Sequence, residues 1–295
     1  MKWQQAIDAV LRDASGEFGV AAVHLESGET AGHRQDELFQ LASVFKIPIL
    51  VTVMREVEAG RIRLDQRVTL KEEERVPGSG ILQELDPGAV LTVKDLAMLM
   101  TIVSDNYATD MVISLIGLEN VERHMHELGL ESFSLPQTCW QLLNRCVGMN
   151  EPAPSPAGFA EYNRREETEE YEILFDVGEP TRENNVATPG DLNRLLTMVA
   201  TKQILSERSC DQILDILLRQ QYNSRLPLLL PKGTKVAHKT GTVNGVVNDA
   251  GIIYLPGGKG TIVMSVLSRK VEEKQQAERT IAELARAVCE LAIGG

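Results

Sequence analysis

Three short runs of this chain combine residue types that perform acyl transfer: Ser43-Val44-Phe45-Lys46, Ser104-Asp105-Asn106 and Lys239-Thr240-Gly241. A serine three residues before a lysine on a helix puts hydroxyl and amine on one face, where the amine can take the hydroxyl proton. Ser43 is then the nucleophile and Lys46 its base. The amine is competent only without its own proton, a state favoured by burial and by a second cation such as Lys239. Ser104 can relay a proton from Lys46 to a leaving nitrogen, and the Asn106 amide both donates and accepts toward a substrate. Lys239 and Thr240 supply a cation and a hydroxyl for a substrate carboxylate, and Gly241 leaves room for the ligand beside the strand. Asp105 is assigned to holding the turn.

Each run also has a plain structural reading. A serine at a helix start is often only a cap, a lysine is usually solvated, and Ser-Asp-Asn is a good turn sequence. By chance, S-x-x-K is expected about once in a chain of this length, whereas S-D-N and K-T-G are each expected well under about 0.1 times. Their occurrence together and in this order argues for chemistry.

The ordered set resembles the signature of class A serine β-lactamases and penicillin-binding proteins. The resemblance extends from a strand pattern near Phe18 to the last helix near Ile293, and is weakest between about Pro136 and Asn185. It implies an α+β fold: a five-stranded antiparallel sheet flanked by N- and C-terminal helices, with an inserted all-helical domain. It also implies a hydrolase that opens β-lactam rings through a Ser43 acyl-enzyme, as in antibiotic resistance. The backbone N–H groups of Ser43 and Thr242 would form the oxyanion hole, and Asn248-Asp249 would support the site from the next strand. The expected partner is a small-molecule β-lactam, or a peptide or ester, with no cofactor.

Hydrolysis of the acyl-enzyme needs an activated water. By the same resemblance it comes from a glutamate followed by Leu-Asn, on a loop before a helix that starts at Thr-Pro. No Glu-x-x-Leu-Asn occurs here. Glu172, followed by Phe175-Asp176 and placed at about the right distance before Thr188-Pro189, is taken as the deacylating residue, ahead of Glu166, Glu167 and Glu183. Without such a residue, the same fold would serve a D-alanyl-D-alanine peptidase, an esterase, or a penicillin-binding sensor that acylates without turnover.

The elements that must position these groups follow from periodicity. Trp3, Ile7, Val10 and Leu11 recur at helical spacing, and residues 18–25 form a buried strand before a Ser27-Gly28 turn. A helix is expected over 44–58, stopped by Gly60, with Pro48 near its start where a missing donor costs least. Residues 61–231 are mostly helical, with capping boxes at Thr92–Asp95 and Thr188–Asp191 and helix ends at Gly117 and Gly129. Three strand-like runs follow at 234–241, 246–255 and 260–268, the last two joined by Pro256-Gly257-Gly258. A final helix aligns Ala277, Ile281, Leu284, Val288 and Leu291. The simplest assembly is a sheet domain of residues 1–60 plus 226–295 and a helical domain of residues 61–225, with the site where they meet.

With 295 residues, 43% of them hydrophobic, the chain can bury a large core. A formal charge of -12 argues against nucleic-acid or anionic-membrane partners, which need a basic surface. Cys139, Cys146, Cys210 and Cys289 show neither C-x-x-C nor metal-ligand spacing, and are expected as free thiols of a reducing compartment. No apolar run of a secretory signal or membrane span begins the sequence. A cytoplasmic monomer is therefore expected as written, or an exported protein if a leader has been removed. His238 should point away from Lys239 by strand alternation, and His124 and His126 face different directions on their helix. The acidic 161–172 stretch is expected to be a solvated face.

Overall fold

The computed structural model describes residues 2–294. The chain opens with helix α1 (Lys2–Leu11), strands β1 (Glu17–His24), β2 (Thr30–His33) and β3 (Phe39–Gln40), and a 3₁₀ turn, Ala42–Phe45, that runs directly into α2 (Lys46–Glu58). The middle holds β4 (Arg67–Thr69), β5 (Val90–Thr92), α3 (Val93–Ile102), α4 (Asn106–Ile116), α5 (Leu118–Glu127), α6 (Cys139–Cys146) and α7 (Pro156–Thr168). Next come β6 (Val186–Ala187), α8 (Pro189–Ala200) and α9 (Glu207–Leu217), and the chain closes with β7 (Lys235–Val243), β8 (Val246–Tyr254), β9 (Thr261–Arg269) and α10 (Lys274–Gly294).

The main sheet is antiparallel in the order β2-β1-β9-β8-β7, which bears out the expected α+β architecture. Its strands are near-continuous apolar runs because both faces are covered. Trp3 and Ile7 of α1 join Ile281, Leu284 and Val288 of α10 over one face. On the other face, Leu192, Leu195, Leu196 and Val199 of α8 join a larger core that continues into the helices. The boundary expected after residue 60 falls at the end of α2, a helix enclosed by α3, α4, α5 and α9. No helix among the described residues is long and apolar enough to cross a membrane.

Three details depart from the expected pattern. β7 continues past Gly241, because Thr242 and Val243 still pair with Val247 and Val246. Two small ladders, β3 with β6 and β4 with β5, escape periodicity because strands of two or three residues are too short to show one. Thr92 forms the expected capping box with Asp95, whereas Thr188 caps α8 without the reciprocal bond, because the Asp191 carboxylate accepts from Ser132 N and Arg194 instead. All four cysteines are free thiols.

Asp105 shows how tightly the central turn is tied. It caps α4 by accepting from Ala108 N at 2.8 Å, and it also accepts from Ile81 N at 2.7 Å and Leu82 N at 2.9 Å. Asp105→Ala leaves three backbone donors without their acceptor, two of them buried and each of those worth about 1–3 kcal/mol, and is expected to cost at least about 2 kcal/mol in urea unfolding. A smaller loss would mean that water replaces the carboxylate.

Candidate active site

The three motifs converge. Ser43 lies in the 3₁₀ turn just before α2, Ser104 at the turn between α3 and α4, and Lys239 to Gly241 on the edge strand β7. Ser43, Ser104, Thr240, Gly241 and Thr242 line one cavity of about 530 Å³, with Arg225 and Lys274 also in its wall. Larger grooves of about 790 and 890 Å³ lie elsewhere, but neither holds a serine beside a buried amine. Chemistry, not volume, selects the site.

Lys46 is buried, and its amine donates to Ser104 O at 2.8 Å, Ser104 Oγ at 3.1 Å and Asn106 Oδ1 at 2.8 Å. All three of its hydrogens are used, and Ser43 Oγ is not one of the acceptors. Burial holds the Lys46 pKa below that of a free lysine, despite partial compensation by nearby acidic groups. Lys239 is also buried, its amine donates to Thr240 O at 2.8 Å, and its pKa lies well below the usual lysine value. Loss of solvent is the main cause there, followed by the positive charges of Lys46 and Arg225.

Two non-glycine residues beside the reacting groups adopt left-handed backbone: Ala42 at φ 45° and Ser104 at φ 57°. Such conformations cost of order 1–3 kcal/mol and persist only where neighbours impose them. At Ala42 the neighbours are identifiable. Gln40 Oε1 accepts from Ala42 N at 3.1 Å, and the Asn248 amide donates to the carbonyls of Gln40 and Leu41 at 2.8 and 3.0 Å. Register sets Gly241 opposite Asn248 and Thr240 opposite Asp249, so β8 supports the site directly. Asp249 meets His238 Nδ1 at 3.0 Å and accepts from Leu226 N at 3.1 Å, which secures the segment carrying Arg225.

The cavity wall differs from expectation in two ways. Gly241 makes room for protein rather than ligand: an added Cβ would lie 2.7 Å from Leu41 O and 3.0 Å from Ser43 N. Lys239 is enclosed behind the wall, and the cations that reach the cavity are Arg225 and Lys274. Arg225 donates to Gly241 O at 2.8 Å, Asn248 O at 2.5 Å and Thr242 Oγ1 at 2.5 Å, and it pairs with Glu278 at 3.2 Å. No motif marks Arg225 in the sequence. Only its fold position exposes its role.

A profile of the beta-lactamase enzyme family matches residues 2–292. The chain belongs to that family. It is 27% identical to the Pseudomonas aeruginosa beta-lactamase VEB-1, with 95% of this chain and 87% of that one aligned. A beta-lactamase structure from Sphaerobacter thermophilus superposes with a TM-score of 0.80 at 29% identity, covering 100% of this chain and 98% of the other. A PBP-A variant solved as its acyl-enzyme complex with penicillin G gives a TM-score of 0.78 at 28% identity, covering 99% and 96%.

Against that family background, the segment before α8 holds no glutamate in the cavity. Glu172 is exposed and its backbone carbonyl packs on Gly148, while Glu166, Glu167 and Glu183 are also exposed and absent from the cavity wall. Leu-Asn pairs do occur at Leu143-Asn144 in α6 and Leu192-Asn193 in α8, but the residues three before their leucines are Trp140 and Pro189 rather than glutamate. Glu172→Gln is expected to leave the turnover rate unchanged within about twofold, which steady-state kinetics will check. Gly241→Ala is expected to push β7 away from the Ser43 turn and lower both melting temperature and acylation rate, and unaltered acylation would show that the turn can give way.

Proposed function

We propose that this protein is a serine acyl-transfer hydrolase that opens β-lactam rings through an acyl-enzyme on Ser43. One observation carries the reading: a partly accessible serine and a second serine share a cavity, and a buried lysine of lowered pKa is hydrogen-bonded to the second. In its unprotonated state Lys46 accepts the Ser43 proton, directly or through Ser104 Oγ, as Ser43 Oγ adds to the ring carbonyl carbon. The oxyanion meets the backbone N–H groups of Ser43 and Thr242, each such donor being worth about 3 kcal/mol in the transition state. The ring C–N bond breaks as the Ser104 hydroxyl passes a proton to the nitrogen, and Lys46 returns one to Ser104. Thr240, Arg225 and Lys274 suit a substrate carboxylate. Kinship with proteins named beta-lactamases, and with a PBP-A variant captured as a penicillin G acyl-enzyme, supports the same chemistry.

Intact mass spectrometry after mixing with a penicillin is expected to show one added penicillin, located on Ser43 and missing in Ser43→Ala. A chromogenic cephalosporin should be consumed in preference to a p-nitrophenyl ester. An unmodified wild-type mass would overturn the assignment, and preferential ester cleavage would move the activity to esterase.

A further inference from the structure

Of the two cations in the cavity wall, only Lys274 is unengaged. Its side chain is exposed and forms no ion pair among the described residues. Arg225 carries five N–H donors, and all five already have acceptors. Nη1 donates to Gly241 O at 2.8 Å and to Asn248 O at 2.5 Å, and Nη2 donates to Thr242 Oγ1 at 2.5 Å. The remaining two, from Nη2 at 3.2 Å and Nε at 3.3 Å, go to one oxygen of Glu278, a carboxylate that itself lines the cavity. The group that suits a substrate carboxylate therefore already holds a carboxylate of the protein.

The five bonds differ in strength and in what anchors them. Those to the β7 and β8 carbonyls and to Thr242 are short and fix the guanidinium against the sheet, whereas the two to Glu278 are the longest and share a single acceptor. Glu278 Oε2 makes no hydrogen bond among the described residues. Glu278 follows the buried Ala277 in the second turn of α10, so it stands at the margin of that helix's packed face, with its side chain 16% exposed. Arg225 is held by the sheet, and the Glu278 carboxylate is held only by Arg225. Glu278 is thus the partner that an incoming anion can displace.

We propose that Glu278 is a specificity-determining residue that occupies, on Arg225, the place of a substrate carboxylate, so that this site binds carboxylate-bearing substrates more weakly than its cations alone would allow. The inference rests on the reading of Ser43 as the acylated nucleophile. An anionic substrate must either exchange with Glu278 on Nε and Nη2 or settle on Lys274 with the glutamate's charge beside it. Exchange lowers the apparent affinity by the fraction of time that Arg225 is free of its internal partner. A neutral substrate meets no such competition, so the glutamate narrows the difference between an acid and its ester. The penalty is confined to binding, because Glu278 makes no hydrogen bond to Ser43, Lys46 or Ser104.

The test follows acylation of Ser43 by stopped-flow mixing and time-resolved intact mass over a range of substrate concentrations, with a penicillin and with the methyl ester of the same penicillin. Glu278→Gln keeps an acceptor of the same length and removes its charge. For the free acid, the concentration giving half-maximal acylation is expected to fall at least about tenfold, equivalent to about 1.4 kcal/mol, while the limiting rate stays within about twofold. For the ester, neither quantity should move by more than about twofold. Unchanged half-saturation for the acid, or equal shifts for acid and ester, overturns the proposal. So does weaker binding or slower acylation of both, the result expected if Glu278 only positions Arg225. Should Glu278→Gln fail to fold, the wild-type protein decides: half-saturation by acid and ester within about threefold sustains the proposal, and an acid bound more than about tenfold tighter than its ester overturns it. Labelling of Ser43 without an acid-specific gain sinks this inference alone, whereas no labelling by either compound removes the reading of Ser43 as well.

Discussion

Two lysine side chains, Lys46 and Lys239, are withdrawn from water in the same interior with no carboxylate of the described residues bonded to either amine, and the rest of the architecture serves that arrangement. An isolated buried ammonium is expensive, so each amine is either well supplied with acceptors or driven toward its neutral form. Both occur here. Ser104 and Asn106 give Lys46 three oxygens, Thr240 gives Lys239 one, and both pKa values fall. A lysine whose pKa is lowered by its surroundings takes the proton of a serine more readily than a solvated one once it is unprotonated.

Holding those amines requires elements from across the chain to meet at fixed spacing. The edge strand β7 can approach the Ser43 turn only because Gly241 has no side chain, and the turn is kept in a strained backbone by Gln40 and Asn248. Ser104 pays a similar conformational cost, and Asp105 fastens the adjoining loop with three hydrogen bonds. Strain therefore lies beside both serines, and the groups that maintain it lie one residue or one strand away. Rigidity at this level suits a reaction whose rate depends on preformed donors.

Electrostatics sets the character of the cavity. Arg225 and Lys274 bring two cations to the cavity wall and Glu278, paired with Arg225, returns one negative charge, so the wall stays slightly positive in a protein of net charge -12. Away from this cavity, Asp110 accepts from Cys139 N and Trp140 N at the start of α6.

Much of this was legible in the primary structure. S-x-x-K, S-D-N and K-T-G named the residues that meet, and apolar runs with period 2 or 3.6 located the long strands and helices, because periodicity depends only on which face is buried. The two-residue ladder β3–β6, the Gly241 contact and the place of Arg225 were not legible, since each depends on a partner more than fifteen residues away whose approach no local pattern encodes. Glu172 was chosen by distance along the chain, yet the fold turns that segment outward. Sequence alone determined which chemical groups this protein possesses and the elements that carry them. Tertiary structure decided which charged groups line the nucleophile's cavity, because proximity and loss of solvent, the two causes of altered acidity, exist only once distant segments pack together.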